Sequence, residues 1–481
     1  MTVVHTGYLK SHPAPKQEAQ LQKVEQSALK RFGLKKISIF PVSLLAGDPR
    51  IDINLEVRYK DLTPRYRDTQ LDYFIVLPFV RDFANTSNVN TQSTTPDYWK
   101  LNDEWLGIIS EGYGIKSFSN LDELLRFFYV EPYAIGVDTF VRLNLAIRDY
   151  TIPASGLPVP SYDDDIVPIR FLYNALSIGG AKAHVVFYNM HSTNTNSTLT
   201  DVFAEILDLT TYPKNVELFV SAGIDSSRFT YNPLFRNQIV SLYHLFRNYE
   251  YDIMYVFDSR VTVKGYRAYQ EFLSQYPQYN TPSPKDYNKI LLSGWYRYNN
   301  YILPPSLYYL ILLVNNYNRS NRFESVVNKR SLTFKNARLI DYDNPKIIRD
   351  EVFDNLDLLE GKISTANRLY SVRESIPIFL TDYTLLRELN IMRYENAVRA
   401  ALYGKKKVET IMSKYIGLRA GDIDLTIMEK LVNEELKTEV DLQSFVVIPK
   451  EQSMAGQITA FYYVTIGVTT YSIQITVTVT D

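Results

Sequence analysis

The residues of this chain whose types could do chemistry are few and scattered. Five histidines, His5, His12, His184, His191 and His244, could act as general bases or metal ligands. Their spacing supplies no ligand set. His184 falls inside the apolar run Ala183-His-Val-Val-Phe-Tyr, where a histidine satisfied by core partners is the expectation. Asp163-Asp164-Asp165 offers oxygen ligands of the kind a hard cation takes, yet acids behind a proline-rich stretch read first as solvated charge. Gly179-Gly180 precedes a strand instead of following one, so it is no dinucleotide loop, and the chain has no G-x-x-x-x-G-K-[ST] phosphate cradle. Gly223-Ile-Asp-Ser-Ser lacks the G-x-S-x-G elbow. Asp422 and Asp424 stand at a helix start, where the helix dipole accounts for them. With no cysteine there is no disulfide, thiol nucleophile or thiolate metal site. The expectation is a protein that is not an enzyme and uses no metal or cofactor.

Bulk properties narrow the partners. A chain of 481 residues has room for two to four domains. Its 52 basic and 53 acidic residues nearly cancel, which argues against nucleic acid or an acidic membrane surface. The longest apolar run, Tyr301 to Val314, contains Pro304, Pro305 and Ser306 and is too short to insert across a bilayer. The stretch from Met1 to Lys10 has no apolar core or cleavage pattern of a signal peptide. Lack of cysteine fits a reducing compartment. The 38 tyrosines have two readings: Tyr-rich protein interfaces, or a low-GC coding bias.

The elements that would carry such surfaces follow from periodicity. Residues 1–16 read as an extended arm, with Pro13 and Pro15 excluding a helix, and lead into a helix from Gln17 to Phe32 closed by Gly33. Residues 34–152 read as a mixed α/β domain. Its strands are Lys36–Phe40, Asp52–Tyr59 and Tyr73–Pro78, and a short helix, Leu121–Phe128, has Asn120 as its N-cap. Asn85–Asp97 reads as a long loop and Pro153–Pro160 as a linker. Residues 161–345 alternate helices (Pro168–Leu176, Leu199–Leu207, Asn232–Tyr249, Gly265–Gln275) with strands (Ala183–Tyr188, Val216–Val220, Asp252–Asp258), the pattern of a sheet covered on both faces. Within it, 276–345 reads as loop-rich, with Tyr308–Val314 as one more buried strand. Residues 346–481 read as helical (Lys346–Leu358, Thr381–Tyr403 closed by Gly404, and Asp424–Glu435 with Leu425, Met428 and Leu431 inward) until two closing strands. The fold class is therefore α/β and α+β, multidomain. A helix-covered mixed sheet is followed by a C-terminal helical part ending in a two-strand β element, and an extended N-terminal arm precedes both.

Those closing strands are the most patterned stretch of the chain. Ile473, Ile475, Val477 and Val479 alternate with Ser472, Gln474, Thr476, Thr478 and Thr480. Ahead of them Ile458, Ala460, Tyr462, Val464 and Ile466 form a second row, broken at Gly467. No charge lies between Glu451 and Asp481. Uncharged, Thr-rich strands need a partner or become adhesive edges. Two readings stand: they are the last strands of an internal sheet, or they pair with strands of neighbouring copies by β-augmentation.

Several further segments recur in a family order. Ile169-Arg-Phe-Leu-Tyr-Asn-Ala-Leu-Ser-Ile-Gly-Gly-Ala-Lys-Ala-His-Val-Val-Phe is a helix, a glycine pair and a strand. Asp252-Ile-Met-Tyr-Val-Phe-Asp is a buried strand, Trp295 to Ser306 ends in Ile-Leu-Pro-Pro-Ser, and Leu389-Asn-Ile-Met-Arg-Tyr-Glu-Asn-Ala-Val-Arg opens a helix. Ile115-Lys-Ser-Phe-Ser-Asn-Leu-Asp-Glu-Leu-Leu comes earlier and Ile458–Thr480 closes the chain. Together, over roughly residues 110–481, these resemble the tail sheath proteins of contractile bacteriophage tails. The chain departs from that pattern in the bulky Leu307-Tyr-Tyr-Leu after Pro-Pro-Ser and in carrying Arg393 alone where two arginines are usual.

The resemblance implies a virion structural subunit, made in the host cytoplasm, that forms hexameric rings stacked helically around a tail tube. Its partners would be other copies of itself, the tube protein, and baseplate and tail terminator proteins. Contraction would drive the tube through the host envelope for genome ejection. The implied interface residues are Val3 and Val4 in the arm, the row Ile473, Ile475, Val477 and Val479 as interlinking strand, and Tyr462, Val464 and Ile466 as its partner. Two other classes remain open on the residues alone: a baseplate or neck component, and a carbohydrate-active enzyme using an unrecognised carboxylate pair.

Overall fold

The computed structural model describes residues 38–42, 53–59, 71–79, 103–128, 167–189, 198–207, 216–225, 233–248, 252–260, 265–298, 301–319, 322–327, 329–340, 367–370, 376–379, 381–387, 391–415, 423–439, 444–448, 457–466 and 469–478. The expected arm 1–16, the helices Gln17–Phe32 and Lys346–Leu358, the loop Asn85–Asp97 and the linker Pro153–Pro160 lie outside these residues.

In chain order the strands are β1 (Ser38–Val42), β2 (Ile53–Tyr59), β3 (Leu71–Phe79), β4 (Tyr113–Phe118), β5 (Ala181–Asn189), β6 (Leu218–Val220), β7 (Met254–Asp258) and β8 (Lys289–Ser293). They continue with β9 (Tyr296–Tyr298), β10 (Tyr301–Leu303), β11 (Arg338–Leu339), β12 (Asn367–Tyr370), β13 (Ile378–Phe379), β14 (Ser444–Val447), β15 (Gln457–Ile466) and β16 (Thr469–Thr478). The helices are α1 (Asp103–Glu111), α2 (Leu121–Phe128), α3 (Val167–Ile178), α4 (Leu199–Leu207) and α5 (Pro233–Asn248). After them come α6 (Gly265–Gln275), α7 (Pro305–Arg319), α8 (Glu395–Met412) and α9 (Leu425–Glu439).

Eight strands form one mixed sheet in the order β13-β12-β8-β7-β6-β3-β5-β4. The six from β12 to β5 run parallel, and β13 and β4 close the two edges antiparallel. Parallel strands covered on both faces read as unbroken apolar runs, which is why Tyr73-Phe-Ile-Val-Leu is buried throughout. Alternation then sorts the residues. Tyr73, Ile75, Val185, Phe187, Leu218, Val220 and Val256 pack on one side with α3, α7 and α8. Phe74, Val76, Val186, Phe219, Tyr255 and Phe257 pack on the other with α4, α5 and α6. This is a three-layer α/β/α body. Its sheet draws β3 and β4 from residues 34–152, β5 to β8 from 161–345, and β12 and β13 from 346–481.

Local signals set several bounds. Asn120 accepts the Glu123 N–H at 2.9 Å, capping α2. At the far end of α3, Gly179 (φ +80°) donates back to Ala175 O at 3.1 Å, and Gly180 (φ +82°) turns the chain straight into β5. Asp424 caps α9 through the Thr426 and Ile427 N–H groups, at 2.8 and 3.2 Å.

Three expectations are corrected. Tyr308–Val314 is not a strand but the middle of α7, and residues 276–345 carry β8 to β11 besides that helix. Leu307 to Val314 are all buried, and a helix surrounded by protein gives the same unbroken apolar run as a central strand. Thr381–Tyr403 is not one helix. Residues 381–387 are non-helical, the Thr384 N–H bonds to Arg393 O at 2.8 Å, and α8 runs from Glu395 to Met412 with Gly404 buried inside it, not ending it. In α9 the inward residues are Met428, Val432 and Leu436, with Leu425 partly buried against the same core, whereas Leu431 is 45% exposed. The two closing strands belong to an antiparallel sheet of five within the chain, the first of the two readings given for them.

Candidate assembly interface

The residues singled out for chemistry stay apart or are absorbed by structure. His184 is fully buried between neighbouring strands, its Nδ1 2.7 Å from Ser117 Oγ and its Nε2 3.3 Å from Asp72 Oδ2. Ser117 stands directly across from His184 in the β4–β5 register. Both ring nitrogens are thus satisfied, which is what burial demands of an imidazole, and the ring packs 5.6 Å from Phe74. His244 is exposed on α5, while His5, His12, His191, Asp163–Asp165 and Asp422 lie outside the described residues. Among the described residues no three His, Asp or Glu side chains gather as a metal site. No helix there is long and apolar enough to cross a membrane.

Gly223 belongs to a buried hub that the sequence did not reveal. With Ala222 (φ 51°) and Gly223 (φ 79°) in left-handed backbone, the turn after β6 aims the Gly223 N–H at Asp258 Oδ2, 2.7 Å away. The same carboxylate accepts the Ser221 hydroxyl at 2.7 Å, the Ser306 hydroxyl at 2.6 Å and the Ser306 N–H at 2.9 Å. Ser306 opens α7 behind Pro305, so Asp258 supplies an acceptor to the buried start of an apolar helix. Burial pushes its carboxyl above the usual range, against the pull of those donors. The Pro-Pro-Ser segment therefore has a structural job.

A second buried cluster joins α7, α8 and the turn at 322–325. Glu395 pairs with Arg399 one turn later, and Tyr309 donates its hydroxyl to Glu395. Arg399 donates to Arg322 O at 2.7 Å, and Arg322 pairs with Glu217 between the rings of Tyr317 and Tyr403. Of these contacts only the i,i+4 spacing of Glu395 and Arg399 is a signal the sequence carries.

The terminal strands form a separate antiparallel sheet, ordered β1-β2-β16-β15-β14. β15 and β16 pair along their whole length, with Ile458 opposite Val477, Ala460 opposite Ile475, Tyr462 opposite Ile473, Val464 opposite Tyr471 and Ile466 opposite Thr469. By this register the two apolar rows share one face with Ala460, which is buried in the same core as Val408 and Ile411 of α8. β16 also pairs with β2 at Thr469–Tyr59 and Thr470–Arg58, and β2 pairs with β1 over five residues. The two ends of the described chain thus meet in one sheet. Val3, Val4 and Val479 lie outside the described residues.

No family model matches this chain, and no curated protein matches it. Among solved structures, it is similar to a chain of the anti-feeding prophage baseplate in its contracted state. That match has 10% identity, covers 85% of this chain and 93% of the other, and has a TM-score of 0.47. It is similar at 12% identity to the contracted PVC sheath complex of an extracellular contractile injection system (85% of this chain, 91% of the other, TM-score 0.45). At 10% identity it is similar to a sheath tail protein from Desulfitobacterium hafniense (58% and 59%, TM-score 0.34).

The far edge of the terminal sheet is occupied by α9. Asn433 Oδ1 accepts the Val446 N–H at 2.5 Å, and Asn433 Nδ2 donates to Val446 O at 2.7 Å. Glu429 Oε2 accepts the Ile448 N–H at 3.0 Å. Neither side chain stands out in the sequence, since polar residues at i and i+4 of a helix are ordinary.

Proposed function

We propose that this chain is a structural subunit, not an enzyme, of a contractile tail sheath, and that its terminal strands link copies into a polymer around a tail tube. One observation carries the reading: strands from both ends of the described chain, β1–β2 and β16, complete a sheet around β15 and β14. The ladder that forms within one copy can form equally between copies, so exchange costs little beyond the hinge.

The connections suit exchange to different degrees. Residues 60–70 separate β2 from β3. Extended, those eleven residues reach at most about 40 Å, enough to place β1–β2 on a neighbour. β15 and β16 are joined by Gly467 and Val468 alone, a short hinge of the kind that favours swapping when it opens. In this reading Val3 and Val4 extend the arm. The rows Tyr462–Ile466 and Ile473–Val479 form the linking ladder, made with a neighbour's strand where the hinge opens. The division into an arm (1–33), an N-terminal domain (34–152), a core (161–345) and a C-terminal linking part (346–481) belongs to the same proposal. So do hexameric rings, the tube, baseplate and terminator partners, a place in the tail of a phage or phage-like particle after synthesis in the host cytoplasm, and contraction through an envelope.

The test is negative-stain electron microscopy of the full-length protein beside a copy ending at Ile466. Tubes or stacked rings from the full-length chain, lost on truncation, are expected. A full-length protein that stays monomeric at high concentration overturns the sheath reading, and tubes from the truncated copy overturn the role of β16.

A further inference from the structure

The terminal sheet has two edges, β1 and β14, and α9 treats the second as a place to be closed. Along β14 the main-chain groups alternate between facing β15 and facing away. The outward set belongs to Ser444, Val446 and Ile448, since Asn433 and Glu429 take the last two. At a bare edge such groups are a template for another strand. β14 is short, but two other common protections are missing from it: Ser-Phe-Val-Val carries no charge and no proline. A primary amide has the same N–H and C=O pair as a peptide group, so Asn433, bonded to both polar groups of Val446, acts as a one-residue strand laid along β14. Its Nδ2 also donates to Glu429 O at 2.8 Å, tying the two guarding residues together across one helical turn. Met428, Val432 and Leu436, buried on the same helix, hold α9 in place.

We propose that Asn433 and Glu429 are an edge guard, a strand-mimicking cap that denies the β14 edge to a strand from a second copy of this chain and confines strand addition to the β1–β2 side of the sheet. The incoming strand is uncharged and extended, as β14, β15 and β16 all are. A sheet open on both sides would let copies join in either direction, and a regular assembly needs one. The guard rests on the strand-linked reading for the identity of the excluded partner, and on the hydrogen bonds alone for its existence.

The test uses full-length protein, wild type and Asn433→Leu, which keeps the side-chain size and removes both bonds to Val446. Hydrogen exchange at Val446 and Ile448 and capture of a labelled peptide of residues 443–448 on a lysine tail are measured, then particle shape by electron microscopy. In Asn433→Leu the Val446 amide is expected to exchange about tenfold faster, the equivalent of one net hydrogen bond. The variant is also expected to capture the peptide, which wild type does not, and to associate side by side when concentrated. Glu429→Ala, which frees only the Ile448 N–H, gives the same reading more weakly and serves if Asn433→Leu does not fold. Unchanged exchange shows that α9 does not hold the edge, and faster exchange without peptide capture shows that the bonds guard nothing. Either result overturns the proposal. A wild-type protein that forms no tubes overturns the sheath reading instead, because peptide capture by the variant still decides the guard.

Discussion

Replacing Asp382 by asparagine should stabilise this protein at neutral and alkaline pH and leave it unchanged in acid. Asp382 is 8% exposed. It takes the Ser325 hydroxyl at 2.5 Å, and its main-chain oxygen accepts the Glu395 N–H at 2.9 Å, holding the start of α8. Burial pushes its carboxyl up to about 6, with the Ser325 bond and the Arg399 charge opposing and the Glu395 charge adding. The folded value thus lies above the unfolded one, so the native state holds the proton more tightly. The stability this contributes is complete below about pH 4 and is lost as pH rises through about 6. A shift of about two units at about 1.4 kcal/mol each gives about 3 kcal/mol. The substituted amide stays neutral at every pH and still accepts from Ser325. The Asp382→Asn variant should match wild type at pH 4 and gain up to about 3 kcal/mol by pH 8. Urea unfolding of dilute, unassembled protein, followed through the buried Trp105 and Trp295 between pH 4 and 8, measures the difference. A variant no more stable than wild type at pH 8, or one displaced equally at every pH, refutes the reasoning.

Two other substitutions probe the buried polar contacts. Asp258→Ala leaves the Gly223 and Ser306 N–H groups without their acceptor. At about 1–3 kcal/mol per orphaned group the loss is about 2–6 kcal/mol, read as a lowered melting temperature by calorimetry. Arg399→Met strands Glu395, which is fully buried, and should cost about 3–5 kcal/mol, most of it recovered in the double variant with Glu395→Leu. A double-mutant cycle in urea gives the coupling, and additive losses would show that the pair does not interact.

Where the sequence was legible, the signal was local. Leu199–Leu207 and Gly265–Gln275 read as helices to the residue, because an amphipathic period and its end signals lie within the segment itself. The strands around Tyr73, Val185 and Tyr255 declared themselves as apolar runs. The same rule misread Tyr308–Val314, since complete burial erases the difference between helix and strand. It also ran a helix through Thr381, because no sequence signal shows the Asp382 carbonyl turning back to meet Glu395.

The order of the strands belongs to the tertiary structure alone. β3 lies between β6 and β5 and Asp258 caps a helix 48 residues away, and neither follows from any periodicity. Pairing of distant segments is decided by which surfaces remain to be buried once local elements exist. The terminal rows divide in the same way. Their alternation fixed which residues share a face, while only the folded chain brought β2 against β16 and set the Asn433 amide on the edge of β14. A pattern of period two states that a strand has a partner, and the geometry of the whole chain decides which one.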